Sequence, residues 1–400
     1  MKLLHIISGA SPESGGPIQG IRNYHEASHS LGIERTIVCL ENQADLNSWN
    51  FSKSLKLIGL GNANNIWQRN SALIGWLKKH IMDYDCIIIN GIWTYHSYAA
   101  MKVIKQLKKQ SVILKIPKVY LMPHGMLDPW FQKEKSRKIK ALRNILYWHL
   151  IEKNVINLVD GVLFTCYEEM MLAKKTFYGY RPKQEINVGY GIQAPPEKNE
   201  FELNVFFKKY DINSSQPYFL FLSRIDFKKG VDLLLKAYNT ILQESLDTNF
   251  IPDLVIAGSG FDSEYGNSLL KYIDIYPLLK QKVLLTGILG AEMKWAAIYG
   301  CEAFILPSHQ ENFGIAVAEA MACEKPVLIT NKINIYREIE KGGGGIINED
   351  TLMGTISNLK QWIALDYESK ILMGKNAKKV YEHNFKNENA ARKLFDILNQ

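Results

Sequence analysis

Two carboxylates in the last third of the chain are placed where they could bind a neutral polyol. Glu311 lies in a polar loop ahead of a helix predicted from Gly314 to Cys323, and Glu319 lies inside that helix. With seven residues between them, the two cannot act as a side-by-side pair. A carboxylate is a strong, directional acceptor, so Glu311 suits a sugar hydroxyl and Glu319 suits the hydroxyls of a ribose. The alternative is that Glu311 is an ordinary loop residue and Glu319 a solvated helix residue.

The start of the same helix offers backbone donors to an anion. Asn312 is a suitable N-cap, and Gly314 has no Cβ, so a bound group can approach the backbone there. The first N–H groups of the helix, from Asn312 through Phe313 to Ile315, then face outward and are free to bind. This pattern predicts a phosphate site beside Glu311.

A pair of cations follows an apolar run earlier in the same half of the chain. Arg224 and Lys229 stand five residues apart, after the run Tyr218 to Ser223 and before a predicted helix. A hydrogen bond to a charged group is worth roughly 1.5–3 kcal/mol, so the two cations are well placed to bind a diphosphate. The alternative is a surface ion pair between Arg224 and Asp226.

Polar and aromatic side chains also follow two strands in the first half. His124 comes directly after the run Lys118 to Met122, and a neutral imidazole can both donate and accept, so His124 is a candidate for contact with a reacting sugar. Trp93 and His96 follow the run Cys86 to Asn90, and open α/β sheets bind ligands at such strand ends. We therefore treat both as acceptor-site candidates. The alternatives are a structural histidine and a packed aromatic loop.

The elements that must position these residues alternate between apolar runs and helical segments, which favours parallel sheets covered on both faces. The pattern stops at a proline-rich, charged stretch from Gln193 to Glu200, typical of an interdomain linker, and restarts at Tyr218. We predict an α/β fold with two doubly wound, Rossmann-like domains. The predicted strands are Lys2–Ile7, Thr36–Leu40, Cys86–Asn90, Lys118–Met122, Asp160–Thr165, one ending near Ile186, Tyr218–Ser223, Asp253–Ala257, Val283–Thr286, Phe304–Leu306 and Val327–Thr330; Ile66–Met82 is predicted as a helix and Lys341–Gly345 as a flexible turn.

The two glutamates within PSHQENFGIAVAEAMA, with the Asn-Phe-Gly turn and the small-residue helix, resemble the signature of the family 4 retaining glycosyltransferases of the GT-B fold. The pattern of Arg224, Lys229 and Gly230 matches a second motif of that family, and PHGMLDPW around His124 is similar to a bacterial surface-polysaccharide subset. The resemblance implies two domains facing a central cleft. It assigns an acceptor-binding domain to 1–195, a nucleotide-sugar-binding domain to 196–375, and a C-terminal helix that returns to the first domain to 376–400.

The resemblance also implies roles for single residues. His124 would lie near the reacting carbon, Arg224 and Lys229 would hold the diphosphate, and Glu311 would orient the sugar. Ser223 departs from the more usual glycine of the family, and Tyr190 stands before Gly191 where the family has Pro-Asn-Gly, which puts the contact of that asparagine in doubt here. The implied donor-binding set is Gly15, Gly16, Arg224, Lys229, Gly258, Ile288, Leu289, Asn312, Phe313, Gly314, Ile315 and Glu319.

Composition limits the class of protein. A chain of 400 residues with 47% hydrophobic and 22% charged residues suits two or three globular domains. The sequence contains neither a signal peptide nor an apolar run of the roughly 18 residues that a membrane span needs, so we expect a cytoplasmic protein. Five scattered cysteines in no metal-ligand spacing predict buried, reduced thiols, and we expect no metal site.

The formal net charge of +8 attracts anions, and the basic residues are concentrated in one segment. Six lysines and arginines fall within residues 133–143, and an apolar, aromatic run follows at 145–151. This predicts a basic amphipathic helix that can lie on an anionic inner membrane, where each basic residue contributes about 1 kcal/mol. The alternative is a solvated face on a helix that packs through its leucine and tryptophan side.

These patterns, together with the activity that the resemblance implies, predict a metal-independent hexosyltransferase with no cofactor beyond its donor substrate. It would move a hexose, with the retention implied by the resemblance, from a nucleotide-diphosphate sugar to a glycan. A lipid-linked intermediate of polysaccharide synthesis is the expected acceptor, and nucleic acid is not an expected partner. The alternatives are a GT-B nucleotide-sugar epimerase and a non-catalytic nucleotide-sugar-binding protein.

Overall fold

The computed structural model describes residues 1–11, 15–28, 31–49, 51–63, 65–110 and 116–399, with only the backbone of residue 110. Its strands are β1 (Lys2–Ile7), β2 (Glu34–Cys39), β3 (Lys56–Gly59), β4 (Cys86–Asn90), β5 (Lys118–Met122), β6 (Gly161–Phe164), β7 (Glu185–Asn187), β8 (Tyr218–Leu222), β9 (Asp253–Ala257), β10 (Val283–Gly287), β11 (Ala303–Leu306), β12 (Val327–Thr330) and β13 (Gly345–Asn348).

The α-helices of the first half are α1 (Gly16–Ser28), α2 (Gln43–Ser48), α3 (Ser71–His80), α4 (Tyr95–Gln110), α5 (Trp130–Lys133), α6 (Lys138–Tyr147), α7 (Lys153–Leu158) and α8 (Tyr167–Ala173). Those of the second half are α9 (Glu200–Lys209), α10 (Val231–Glu244), α11 (Glu264–Ile275), α12 (Pro277–Lys282), α13 (Ala291–Gly300), α14 (Ile315–Ala322), α15 (Tyr336–Gly342), α16 (Leu352–Ala364), α17 (Tyr367–Val380) and α18 (Asn387–Asn399).

The chain divides into two compact units, each built on its own sheet. The first unit comprises Met1–Gly191 and Asn387–Gln400, and the second comprises Ile192–Lys386. The first sheet has the strand order β3-β2-β1-β4-β5-β6-β7, and the second has the order β10-β9-β8-β11-β12-β13. Neighbouring strands in both sheets pair in parallel. Both are doubly wound α/β sheets, as predicted.

The apolar runs form central strands because both of their faces are covered. In β4, Ile87 and Ile89 belong to the hydrophobic cluster on one face of the first sheet, and Cys86 and Ile88 belong to the cluster on the other. All five residues of this strand are buried. The five cysteines of the chain are likewise buried free thiols, as the composition predicted.

Two elements near the sheet edges were not predicted. The sequence pattern did not indicate the edge strands β3 and β13, because neither is a fully buried apolar run. The glycine run was wrongly predicted as a flexible turn, since Gly342 ends α15 and Gly345 begins β13. A Cβ on Gly345 would stand 2.1 Å from the carbonyl oxygen of Val327, so this position needs glycine for close packing of two strands.

The C-terminal return to the first unit is shorter than the predicted 376–400 segment. Only α18 joins that unit, where it packs on α1 and Asn387 donates a hydrogen bond to the carbonyl of Asn23 at 2.8 Å. The residues ahead of it stay in the second unit, where the Tyr381 hydroxyl donates to the carbonyl of Ile192 at 3.1 Å. Within the described residues, no helix combines the length and the apolar composition needed to cross a bilayer.

Candidate active site

The predicted donor residues of the second unit meet at one edge of its sheet. The strand order places β8 beside β11, which is the point where the winding of the sheet reverses direction. Ligands of open α/β sheets bind at the carboxyl ends of the strands at this switch point. Arg224 and Lys229 follow β8, and the loop that carries Glu311 follows β11.

Lys229 and Glu311 form a largely buried ion pair at this edge, and their side chains are 11% and 18% exposed. Burial alone would raise the pKa of the Glu311 carboxyl, but the positive charges of Lys229 and Lys228 outweigh that effect. Together with hydrogen bonds from Lys229 and from the backbone N–H of Asn312, these charges hold the pKa below its usual value. Glu311 is therefore a fixed carboxylate at neutral pH.

The backbone around Glu311 is held from the neighbouring loop. Its N–H donates to the carbonyl of Lys332 at 2.9 Å, and its own carbonyl accepts from the N–H of Asn334 at 3.0 Å. This short parallel bridge orients the carboxylate before any ligand binds. Preorganisation of this kind lowers the entropy cost of positioning a substrate.

Arg224 stands apart from the ion pair. Its side chain is exposed, and no carboxylate among the described residues pairs with it. The alternative of an Arg224–Asp226 pair is not observed, because Asp226 instead accepts from the backbone N–H of Lys228 at 2.9 Å and caps a short 3₁₀ helix. The guanidinium is thus available to a diphosphate.

Two glycines let the loops of this edge approach one another. Gly230 has φ +68°, and a Cβ there would stand 2.0 Å from the carbonyl oxygen of Pro307. At Gly258 a Cβ would stand 1.8 Å from the carbonyl oxygen of Ser223. The loops after β8, β9 and β11 therefore approach so closely at Gly230 and Gly258 that a residue with a Cβ would not fit there.

The N-terminus of α14 lies beside Glu311, as the sequence predicted. The predicted N-cap Asn312 is corrected, because Gly314 occupies that position with φ +80° and Ile315 is the first residue of the helix. The Phe313 ring is buried, 5.3 Å from the ring of Phe385 and edge-on to it, so only the backbone of Phe313 is placed to meet a ligand. Asn312 contributes the N–H that bonds Glu311.

Glu319 has a partner that sequence reasoning missed. The Lys294 ammonium donates to a Glu319 oxygen at 2.7 Å, so this glutamate is not the simply solvated residue of the alternative reading. Lys294 lies on α13, directly after the loop that contains Ile288 and Leu289. Ile288 is 76% exposed and Leu289 is half-buried, which leaves an apolar surface at the end of β10. A lysine 25 positions from its partner in sequence gives no local signal for this pairing.

In the first unit, His124 joins a hydrogen-bonded chain that runs from His5 inside β1 through Asn90, the last residue of β4, to the loop after β5. The Asn90 side-chain nitrogen donates to the carbonyl of Ile88 at 3.0 Å, which identifies the nitrogen end of that amide. The same nitrogen lies 3.2 Å from His5 Nδ1, and the Asn90 oxygen lies 3.1 Å from His124 Nε2. His124 Nε2 therefore carries the proton, and Nδ1 is left as the acceptor of the ring.

Burial keeps this histidine chain neutral. It lowers the pKa of His124 to about 3, and the pKa of His5 is also well below its usual value, first because of burial and then because of Arg35. His124 adopts φ +51°, an unusual conformation for a residue with a side chain. A neutral ring with a free acceptor suits a sugar hydroxyl better than a phosphate.

The two acceptor-site candidates are placed differently from one another. His96 is buried, and its ring nitrogens lie 2.9 Å from the Asn90 carbonyl and 2.7 Å from the Thr94 hydroxyl, so it holds a turn and cannot touch a bound acceptor. This prediction is corrected. Trp93 is half-buried with φ +74°, and its backbone N–H donates to Glu152 at 3.0 Å. It packs as the alternative reading held, with its ring 5.4 Å from that of Phe177.

The glycine pair at the start of α1 is open to approach. A Cβ at Gly15 or Gly16 would meet no heavy atom within 4 Å. Tyr190, the residue that departs from the family pattern, donates its hydroxyl proton to the carbonyl of Gly16 at 2.7 Å. Tyr190 thus fixes the backbone of the glycine pair through this hydrogen bond. The loop ahead of the pair lies partly outside the described residues.

Glu152 is a buried carboxyl that the sequence did not single out. One of its oxygens accepts from Trp93 N–H at 3.0 Å and from the Ser97 hydroxyl at 2.7 Å, while the other has no partner among the described residues. Burial raises its pKa to about 7, although both hydrogen bonds act in the opposite direction. It lies at the end of a π-helical turn, residues 148–152, and such turns often occur at functional sites.

The raised pKa of Glu152 predicts a pH-dependent stability. The unfolded carboxyl loses its proton near pH 4.5 and the folded one near pH 7, so the folded state binds the extra proton between these values. The contribution of Glu152 to the free energy of unfolding should therefore fall by roughly 3 kcal/mol as the pH rises through this window, while the buried His5, His96 and His124 contribute a change of the opposite sign. Urea unfolding of wild type and Glu152→Gln at pH 5 and pH 8 isolates the contribution of Glu152. Between these pH values Glu152→Gln should gain stability relative to wild type by roughly 3 kcal/mol, and the exposed Glu26→Gln should follow wild type; the same pH dependence in all three proteins would contradict the assignment.

Comparison with known proteins finds a family match over part of the second unit. Residues 204–380 match the family described as glycosyl transferases group 1. An uncharacterised glycosyltransferase of Methanocaldococcus jannaschii is 24% identical over 228 residues, which cover 54% of this chain and 54% of that protein. A capsular polysaccharide biosynthesis glycosyltransferase of Staphylococcus aureus is 23% identical over 210 residues, 52% of each chain. The chain thus aligns with about half the length of these relatives.

Solved structures of similar fold cover the whole chain. Sucrose-phosphate synthase from Thermosynechococcus elongatus has a TM-score of 0.74 at 18% identity and covers 100% of this chain and 98% of its own. The Anabaena protein HepE, solved with UDP and glucose, has a TM-score of 0.74 at 14% identity and covers 100% and 99%. At these identities the likeness establishes the fold.

Proposed function

We propose that this chain transfers a hexose from a nucleoside diphosphate sugar to a glycan acceptor with retention of configuration. The match of residues 204–380 to the group 1 glycosyl transferases and the GT-B fold support the proposal. The observation that carries the proposal is the edge of the second sheet. Two cations, a fixed carboxylate and a helix N-terminus lie there at the switch point between β8 and β11.

The proposed role of the cations is to stabilise the leaving group. A nucleoside diphosphate gains negative charge as its bond to the sugar breaks, and preorganised positive groups lower the energy of that state. Arg224 would bind the diphosphate through its free guanidinium, and Lys229 would do so while remaining beside Glu311. The N–H groups of Gly314 and Ile315 would add donors of the kind that bind phosphate at helix N-termini.

The proposed role of Glu311 and Glu319 is to hold the neutral parts of the donor. Glu311, kept ionised by Lys229 and Lys228, would accept from a hydroxyl of the hexose. Glu319 would accept from the ribose, with Lys294 beside it. The exposed Ile288 and the neighbouring Leu289 would pack on the base. The Anabaena protein was solved with UDP, which supports a nucleotide donor here.

The proposed reaction is a substitution on one face of the sugar. The bond between the anomeric carbon and the diphosphate oxygen breaks, the acceptor oxygen bonds to the same face, and the hydroxyl proton passes to the departing phosphate. His124 would accept from a sugar hydroxyl through Nδ1. The first unit would bind the acceptor, and Gly15 and Gly16 leave its backbone open to a substrate.

A membrane partner is proposed from the surface of residues 133–151, called here the basic segment. The predicted single helix is interrupted at Glu134. Trp148 is buried in the core, so the segment packs through its tryptophan as the alternative proposed, but its leucines do not follow it. Another side of the segment is apolar and exposed, beside the lysines and arginines. Its exposed residues are Ile139 at 87%, Leu142 at 61%, Ile145 at 42%, Leu146 at 58% and Leu150 at 73%. This combination suits an anionic bilayer surface.

The membrane proposal predicts binding to phosphatidylglycerol-containing vesicles and weak binding to pure phosphatidylcholine. Replacing Leu146 and Leu150 together by serine should reduce sedimentation with anionic vesicles about tenfold, because that apolar area is no longer buried. The exposed Leu246→Ser, which lies in the second unit, is the matched control. Equal sedimentation of the double variant and wild type would contradict a membrane role for this surface.

A panel of UDP- and GDP-sugars tests the proposed activity. At least one should raise the Tm of the protein and release its nucleoside diphosphate faster when a glycan acceptor is present. Conversion of the sugar nucleotide to an isomer without any acceptor would indicate an epimerase instead. Binding without any turnover, across acceptors, would indicate a non-catalytic binding protein.

A further inference from the structure

The first unit contains a pocket of about 450 Å³ that none of the roles above uses. It lies between the loop before α3, the first half of α4 and the end of α6. A volume in this range accommodates a small ligand such as one or two sugar rings. The residues that line this pocket, called here the aromatic pocket, are Asn65, Trp67, Arg69, Tyr95, Tyr98, Lys102, Tyr147 and Ile151.

Four aromatic side chains form the walls of the aromatic pocket. The rings of Trp67 and Tyr147 lie 4.6 Å apart, and those of Tyr95 and Tyr98 lie 5.9 Å apart. Trp67 is 45% exposed and Tyr98 is 37% exposed. Large rings exposed together in one pocket are typical of a surface that a ligand covers. Flat amphipathic rings of this kind pack well against the apolar faces of sugars.

Two cations line the aromatic pocket, and no carboxylate is among its lining residues. Arg69 and Lys102 are both exposed, and neither forms an ion pair with any residue in the described part of the chain. The Lys102 ammonium lies 5.9 Å from the centre of the Tyr98 ring. The loop that carries Arg69 is held in place, because the side chain of Asn65 accepts from the N–H groups of Trp67 and Arg69, each at 3.1 Å.

The aromatic pocket is joined by direct contacts to the loop that carries His124. The Trp93 indole donates to the carbonyl of Met126 at 3.4 Å, and the rings of Trp93 and Tyr147 lie 6.3 Å apart. The Tyr147 hydroxyl donates to the carbonyl of Thr94 at 3.3 Å. On its far side the pocket meets the basic segment, since Tyr147 and Ile151 belong to it.

We propose that the aromatic pocket binds the acceptor through a sugar that carries phosphate at its anomeric carbon. This inference rests on the proposed function and names the acceptor class. The rings pack on the sugar, and Arg69 and Lys102 bind the phosphate. That phosphate has two sources, a free glycosyl phosphate or the diphosphate that joins a glycan to a lipid. The neighbouring exposed leucines favour the second.

Binding of defined probes to the full chain tests the proposal. The probes are the 1-phosphates of glucose, galactose, mannose and N-acetylglucosamine, their neutral methyl glycosides, and the farnesyl diphosphate conjugates of the same sugars in detergent. At least one phosphate-bearing probe should bind wild type, and Arg69→Gln combined with Lys102→Gln should weaken it about tenfold or more. Lys105→Gln, an exposed lysine one turn further along α4, is the matched control and should bind as wild type does.

The outcomes separate this site from the donor site. UDP and GDP, titrated into the same proteins, should bind the double variant and wild type equally, and a saturating nucleotide should leave the pocket probe bound. Tighter binding of the farnesyl conjugate than of the 1-phosphate identifies the lipid source, and equal binding identifies the free one. The proposal is overturned if every probe binds the double variant as well as wild type, whether or not nucleotides bind.

Discussion

Replacing Lys229 with methionine is expected to lower kcat by about 10²–10³-fold, the loss seen when one preorganised charge-stabilising donor is removed from a reaction centre. The expectation is large because this lysine has two functions in the site. It places positive charge at the proposed diphosphate, and it keeps Glu311 ionised at a position where burial alone favours the neutral acid. The measurement is single-turnover transfer from whichever donor the sugar-nucleotide panel identifies.

A second variant separates the two functions of Lys229. Adding Glu311→Gln to Lys229→Met removes the unpaired buried carboxyl, so it should restore stability without restoring the rate. Lys236→Met, which removes an exposed lysine from α10, should behave as wild type. A Lys229→Met protein that folds normally and retains full kcat would show that the ion pair is only structural.

Replacing Gly230 with alanine is expected to destabilise the second unit by roughly 2–5 kcal/mol, which sums backbone strain and a steric clash. The Cβ would lie 2.0 Å from the Pro307 carbonyl oxygen, so the loops after β8 and β11 would have to separate. Those loops carry Lys229 and Glu311, and a shift there would also disrupt their pairing. Urea unfolding at neutral pH measures the loss.

Gly287 provides a matched control for the strain component. Its φ is +70°, close to the +68° of Gly230, but a Cβ there would meet no atom within 4 Å. Gly287→Ala should therefore cost only about 1 kcal/mol. Equal losses in the two variants would indicate that the contact with Pro307 does not determine the packing of these loops.

The sequence predicted the parts of this molecule that depend on local pattern. Central strands such as β4 and β8 are short apolar runs, and their strand ends are readable, so the positions of His124, Arg224 and Glu311 at strand ends followed. The edge strands β3 and β13 did not follow, because a strand with a mixed burial pattern lacks the apolar run that marks a central one. The glycines at 342–345 were wrongly predicted as a flexible turn. Glycine is typical both of flexible turns and of positions where two backbones pack closely, so the residue type alone does not distinguish them.

The partners of site residues could not be predicted from local pattern. Glu319 pairs with Lys294 and Glu311 pairs with Lys229, 25 and 82 positions away, and only the winding of the sheet brings them together. His96 illustrates the reverse error. A histidine after a strand indicates a ligand site or a held turn equally well, and the two hydrogen bonds that decide between them are visible only in the structure.

Calorimetric titration with UDP and GDP measures whether Arg224 and Lys229 form a diphosphate site at the end of β8. The proteins compared are wild type, Arg224→Gln and the control Lys236→Met. One nucleotide should bind wild type and the control alike, and should bind Arg224→Gln about tenfold or more weakly because a charged hydrogen-bond donor is lost. Equal affinity of wild type and Arg224→Gln for the nucleotide would show that the guanidinium does not bind the diphosphate.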